Sequence, residues 1–209
     1  MEVNKIIQGD CLEVMKTMED NSIDLVLTDP PYGIGADSSA HNAGGKNGWK
    51  DYGDTDWDNK RPEKEYFDEI FRISKHQIIW GGNYFVDYFY PTMGWLVWNK
   101  GQRNFSLADG ELAWTSFQKA LRIFDVSRAK AMKDYKQHPT QKSLEVMKLC
   151  IKYADKHIGK EDYLIFDPFN GSGTTTKAAY ELGRTFIGVE ISEKYCEIAR
   201  DRLKQQTLL

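Results

Sequence analysis

Tyr163-Leu164-Ile165-Phe166 runs directly into Asp167-Pro168-Phe169-Asn170-Gly171-Ser172-Gly173, and Thr185-Phe186-Ile187-Gly188-Val189 then closes on Glu190. The first apolar run has the length of a strand. The glycine-containing turn opens a helix over about Thr174 to Leu182, and the second run is another strand. Strand, turn, helix and strand in series make a βαβ unit, from which parallel sheets are built. Glycines in such a turn let the backbone approach a ligand closely, and the helix N-terminus offers free N–H groups to an anionic one. A carboxylate ending the next strand can accept the hydrogens of both ribose hydroxyls. The series points to an adenosine-containing ligand, with a plain βα turn as the bland alternative. The full dinucleotide pattern G-x-G-x-x-G is missing, because Thr176 stands at its third glycine, and no P-loop string occurs.

Outward from this unit the same alternation recurs. Ile6-Ile7 reads as a short strand ending at Gly9-Asp10, followed by a helix over Leu12 to Met18. Ile23 to Thr28 is a compact apolar strand stopped by Asp29-Pro30-Pro31-Tyr32, since two prolines cannot continue a ladder. A helix over Glu63 to Ser74 leads to a strand at Gln77 to Trp80 that stops at Gly81-Gly82. Trp95 to Trp98 is a further strand, and Glu111 to Trp114 and Leu121 to Phe124 are weaker ones. Ser143 caps a helix with apolar Leu144, Met147, Ile151 and Ala154, and Ser192 caps the last helix. The pattern predicts an α/β domain with a mainly parallel sheet, whose ligands sit beyond the carboxyl ends of the strands. Asp10, Asp29 to Tyr32, Gly81-Gly82, Asp167 to Gly173 and Glu190 all stand at such ends.

Asp29-Pro30-Pro31-Tyr32 suits one chemistry well. The exocyclic amine of a nucleobase is a poor nucleophile, because its lone pair is delocalised into the ring. It needs acceptors for its hydrogens, and the Asp29 carboxylate and Pro30 carbonyl supply two. Pro30 and Pro31 stiffen the turn and so preorganise those acceptors. Tyr32 offers a flat face on which an extruded base stacks. The bland alternative is a strand-ending turn with a packed tyrosine. His138-Pro139-Thr140-Gln141-Lys142 leads into the helix at Ser143, where Lys142 and the helix N-terminus both favour a carboxylate. A histidine before a helix can also be a cap or a surface residue.

The 209 residues fit one domain, 1–209, with candidate nucleic-acid-contacting insertions at 36–62 and 125–137. A net charge of −3 argues against a protein that coats nucleic acid with its whole surface, but not against a local basic face. Between Lys119 and Lys142 seven cationic residues face only Asp125 and Asp134, a run that also reads as a solvated loop. The three cysteines Cys11, Cys150 and Cys196 lack metal spacing, which predicts thiols in a reducing cytoplasm and no metal site. No secretion signal or membrane-length apolar run is present.

Taken together, these motifs resemble the β-class DNA amino-methyltransferases, in which D-P-P-Y precedes F-x-G-x-G, here Phe169 to Gly173. His138 to Lys142 matches the family's H-P-T-Q-K-P apart from Ser143 in place of the last proline. Gly9-Asp10-Cys11, Ile78 to Asn83 and Leu96 to Lys100 also look like family segments. The resemblance implies a Rossmann-like sheet of about seven strands, circularly permuted so that the catalytic half comes first. It implies S-adenosylmethionine as cofactor and double-stranded DNA with a flipped base as substrate; a small recognition region is compatible with a homodimer or with loose specificity. Asp29, Pro30, Pro31 and Tyr32 would be catalytic, and Asp29 would also border the cofactor. Asp167, Phe169, Gly171, Ser172, Gly173 and Thr174 would line the cofactor, with Glu190 on its ribose and Asp10 and Cys11 near its adenine. His138, Thr140 and Lys142 would lie near its methionine end. An aspartate heading the motif favours N6 of adenine, where serine or threonine would favour N4 of cytosine. The short stretch between Phe124 and Thr140 leaves little room for target recognition. Alternatives are N4-cytosine methylation, an RNA or protein-amide substrate, and an inactive DNA-binding module. Methylation at carbon is disfavoured, because no cysteine follows a proline.

Overall fold

The computed structural model describes residues 2–34, 60–103, 108–131, 142–160 and 162–204. Its strands are β1 (Lys5–Gln8), β2 (Ile23–Thr28), β3 (Ser74–Trp80), β4 (Trp95–Asn99), β5 (Gly110–Thr115), β6 (Arg122–Asp125), β7 (Leu164–Asp167) and β8 (Thr185–Glu190). They form one sheet in the order β1-β8-β7-β2-β3-β5-β4-β6. Every neighbouring pair is parallel except β3 with β5 and β5 with β4, so β5 alone runs against the rest. Among the described residues the sheet, expected to have about seven strands, has eight, and the edge strand β6 has little buried surface.

The central strand β2 reads Ile-Asp-Leu-Val-Leu-Thr and is buried along its whole length. Such a near-continuous apolar run is what a parallel strand covered on both faces requires. One face carries Leu25, Leu27, Ile78 and Trp80 against the helix Leu144–Ile158 and its neighbours Thr174–Glu181 and Glu193–Lys204. The other carries Val26, Ile79 and Phe166 against Cys11–Lys16 and Lys64–Ile73. In the helix Leu144–Ile158, Val146, Met147, Cys150, Ile151, Tyr153 and Ala154 are buried, which extends the expected apolar stripe. The expected cap at its start differs: Ser143 occupies the N-cap position, but its side chain makes no capping hydrogen bond. Its hydroxyl is buried without a partner among the described residues.

From the β7–β2 pair the chain winds outward in opposite directions, through β8 to β1 on one side and β3 on the other. This switch in winding opens a crevice at the carboxyl ends of the two strands. Thr28 Oγ1 donates to Asp167 Oδ1 across it at 2.7 Å, tying the ends together.

Candidate active site

A cleft of about 680 Å³ opens at this crevice, within the usual size of a small-molecule site. Asp10, Cys11, Asp29, Pro31, Lys142, Asp167, Phe169, Gly171, Ser172, Thr174 and Glu190 line it, so most of the residues singled out in the sequence converge. Pro30, Tyr32 and Gly173 are not in its wall. His138 and Thr140 lie outside the described residues, as do 36–59 of the first candidate insertion and 132–137 of the second. Of the second insertion, Asp125 ends β6 and Arg128–Ala131 form a short helix.

The glycine turn is held by Glu190 and by Arg202. Glu190 Oε2 accepts from Gly171 N at 2.8 Å, and its Oε1 accepts from Ser192 N at 2.9 Å. Burial pushes its carboxyl above the usual range despite these bonds. Arg202, from the last helix, donates to the Ser172 carbonyl at 2.7 Å, an anchor that the sequence pattern did not single out. Gly173, expected to line the cofactor, is also required by the packing of the chain. It starts the helix at φ +82°, and a Cβ there would sit 2.7 Å from the Ala199 Cβ. Gly171, by contrast, lines the cleft with no protein atom within 4 Å of where a Cβ would be.

Asp10 both borders the cleft and caps the helix Cys11–Lys16, accepting from Leu12 N at 2.8 Å. Burial, then the Asp10 charge, push the Cys11 thiol up to about 12. Burial also pushes Cys150 up to about 12 and Cys196 up to about 11. Burial thus favours the thiol form of all three at neutral pH. Phe169 and Tyr66 approach with ring centroids 6.1 Å apart, giving the cleft an aromatic wall.

Asp167 is 3% exposed, and burial pushes its carboxyl up to about 7, although Thr28, Thr175 and Phe169 N all favour its ionised form. Its pKa is thus higher in the folded than in the unfolded chain. The stability tied to it is full below the ordinary carboxylate range and is lost as pH rises towards about 7. Asp167→Asn retains an acceptor for Thr28 and removes this dependence. Its urea midpoint should exceed that of wild type at pH 8 and match it more closely at pH 4. Parallel midpoint curves for the two proteins would overturn this account.

Behind Asp29 and Lys142, which line the cleft, lies a charge network. Tyr32 Oη donates to Asp29 Oδ1 at 2.5 Å, and Lys142 Nζ lies 3.2 Å from the same oxygen. Lys142 also bonds Glu111, whose other oxygen meets Lys100 at 2.5 Å. Lys142, expected near the methionine end of the cofactor, lines the cleft while its ammonium is held by carboxylates. Burial raises the pKa of Asp29, against the pull of Lys142. Burial likewise acts to raise that of Glu111, but Lys142 and Lys100 outweigh it and hold it at about 2. Tyr32 stacks on Tyr84 with centroids 4.8 Å apart and an interplanar angle of 18°, so one face of its ring is already covered. Glu111 and Lys100 were read in the sequence only as parts of strand segments, with no role at the site. The available signal was an acid in a strand whose partner strand, Trp95–Asn99, is followed by a lysine.

Among the described residues no helix is long and apolar enough to cross a membrane, and no His, Cys, Asp and Glu cluster could hold a metal.

The DNA methylase family of N6 and N4 enzymes matches residues 79–201. The Type II methyltransferase M.HpaI of Haemophilus parainfluenzae is 27% identical, over 97% of this chain and 74% of its own length. The solved structure of M1.HpyAVI in complex with SAM superposes with a TM-score of 0.61 at 21% identity, covering 95% of this chain and 98% of that one. The cytosine-N4-specific PvuII DNA methyltransferase reaches 0.60 at 15% identity, covering 94% and 85%. At these identities the two structures establish the shared fold.

Proposed function

The chain belongs to the N6/N4 DNA methylase family, whose members take their methyl group from S-adenosylmethionine, and on that footing we propose that it methylates N6 of adenine in DNA. One observation supports this best: the Asp29 carboxylate and the glycine turn that starts at Asp167 border the same cleft. An acceptor for the target amine therefore stands beside a site suited to the methyl donor.

The donor set of the cleft fits that cofactor. Glu190 and Asp10 are acceptors for ribose hydroxyls and adenine, Cys11, Leu12 and Phe169 are apolar cover, and the Gly171 backbone is open to close approach. The bound cofactor supplies an electrophilic methyl group on a sulfonium. The chain's part is to hold the base. Asp29 and the Pro30 carbonyl accept hydrogen bonds from the amino group and favour a pyramidal nitrogen, which attacks the methyl carbon in line. The methyl carbon would leave the cofactor's sulfur with the C–S pair remaining there, and the proton lost from nitrogen would pass to Asp29 or water. No covalent enzyme intermediate is needed, in keeping with three protonated thiols. Residues 36–62 and 125–137 are the proposed DNA-contacting segments, the second through its positive charge.

Incubating duplex DNA from a methylation-free host with the protein and labelled cofactor, then analysing nucleosides, tests the reading. N6-methyladenine is the expected product. N4-methylcytosine would replace it with the second reading, which the likeness to the PvuII enzyme keeps in play. Label in RNA and none in DNA would overturn both.

Glu190→Ala should weaken cofactor binding by roughly tenfold to a hundredfold, through lost ribose acceptors and a loosened Gly171 turn. Calorimetric titration reads this directly, and an affinity within twofold of wild type would remove Glu190 from the site.

A further inference from the structure

We propose that Glu111 is a positioning residue for methyl transfer: from the reversed strand β5 it fixes the Lys142 ammonium, and Lys142 in turn fixes the Asp29 carboxylate against the target amine. The inference rests on the reading of Asp29 given above.

The geometry supplies the argument. Lys142 has a side chain only 5% exposed, against 22% for Asp29, 26% for Glu111 and 16% for Lys100. An ammonium buried this deeply loses its charge unless carboxylates compensate it. Here the charges alternate as Asp29, Lys142, Glu111 and Lys100, two of each sign, so the buried group is neutral as a whole. Each carboxylate is thereby held by a cation with one position to occupy. Among the described residues both contacts of Asp29 fall on Oδ1, from Tyr32 and Lys142, which leaves Oδ2 for a hydrogen of the amine. Rotating the carboxylate would break both contacts, so its orientation is set before substrate arrives, as preorganised catalysis demands.

Strand β5 is well suited to this task. It is the one reversed strand, paired with β3 and β4, so its amino-terminal residues lie at the same sheet edge as the carboxyl ends of its neighbours. Glu111 sits opposite Trp98 in β4, within reach of Lys100 two residues further on. The sheet thus brings an acid to the active edge from a strand that begins there.

The described titratable groups facing Asp29 are Lys142, Tyr32, Glu111 and, across the switch point, Asp167. Transfer requires ionised Asp29, so the rate falls as pH drops through its pKa. Glu111→Gln removes a negative charge and leaves Lys142 to act on Asp29 alone, which should move the acid limb of the rate profile to lower pH. Lys100→Met removes a positive charge and should move the limb to higher pH. Opposite displacements are not what two merely structural losses would give.

Single-turnover methylation of unmethylated duplex DNA is measured against pH for wild type, Glu111→Gln, Glu111→Asp and Lys100→Met, with cofactor affinity by calorimetry. The expected result is a plateau rate lowered by about tenfold or more in Glu111→Gln, partial recovery in Glu111→Asp, and cofactor affinity within about threefold of wild type. In an Asp29→Asn background the further loss from Glu111→Gln should shrink to about twofold or less, since the two act through one contact. A Glu111→Gln rate within twofold of wild type, a loss confined to cofactor affinity, or an unchanged loss in the Asp29→Asn background overturns the proposal. Should Glu111→Gln fail to fold, the Lys100→Met profile decides alone, and a limb that does not rise overturns it. A fully active Asp29→Ala protein would instead overturn the reading of Asp29 itself.

Discussion

Asp29→Ala is expected to lower the single-turnover rate of methyl transfer by roughly a hundredfold to a thousandfold, the usual cost of deleting one preorganised hydrogen-bonding group from an active site. In the proposed role the side chain meets the reacting amine, so the loss should fall on the rate far more than on cofactor affinity. The alanine also strips Lys142 of one of its two carboxylates, though Glu111 still holds the ammonium. Asp29→Asn separates the two contributions. It keeps an Oδ1 acceptor for Tyr32 but loses the charge that faces Lys142, so its rate should lie between those of wild type and alanine. Because burial pushes the Asp29 carboxyl above the ordinary range, the wild-type rate should fall on its acid side at a higher pH than an exposed aspartate would give. Rapid-quench measurement with labelled cofactor checks all three points. An alanine variant as fast as wild type would remove Asp29 from the chemistry.

The second large effect is expected at a position with no polar atom in its side chain. Gly81 has φ +67°, and a Cβ built there would overlap the Tyr32 ring at Cε1 and Cζ. Both faults act on Gly81→Ala: left-handed backbone costs an alanine about 1 kcal/mol, and the ring must move. Tyr32 cannot move freely, since Tyr84 stacks on it and Phe85 meets its edge with centroids 6.3 Å apart. Its hydroxyl would be drawn off Asp29 Oδ1. A loss of about 2–3 kcal/mol in urea unfolding is expected, within the range for strain at a special backbone position. The methylation rate should fall with it by at least about tenfold even where the variant is fully folded. Unchanged stability would mean that the ring is not seated against Gly81.

The parts of the site carried by one continuous stretch could be read from the sequence. Asp167 to Gly173 announces itself as a turn between strand and helix, and Asp29 to Tyr32 as an abrupt strand end. Both lie where the alternation of elements said a ligand would lie. What escaped depended on contacts between distant stretches. Glu111 acquires its meaning only because β5 inserts between β3 and β4 and runs backwards, which local periodicity does not encode. Lys142 follows a motif that suggests a cofactor carboxylate, but its reach to Asp29 follows from how the helix Leu144–Ile158 packs on the sheet. The edge strand β6 gave a weak signal for a physical reason: a strand with few buried side chains has no apolar alternation to display. The packing demand on Gly173 was likewise hidden, because a glycine needed by a close-packed helix looks in sequence like a glycine needed by a ligand.

The β2–β7 pair has a bearing on how the chain is made. Leu25 pairs with Ile165, and β1 pairs with β8 through Lys5 and Ile187. During synthesis the strand that leads into Asp29 therefore emerges from the ribosome long before its neighbour on one side exists. For that interval an apolar segment presents an open ladder of N–H and C=O groups, the state most prone to wrong pairing. Pairings this remote along the chain also slow folding, because the loop must close before any contact rewards it. The methylase site is thus assembled late, by the last third of the polypeptide closing against the first.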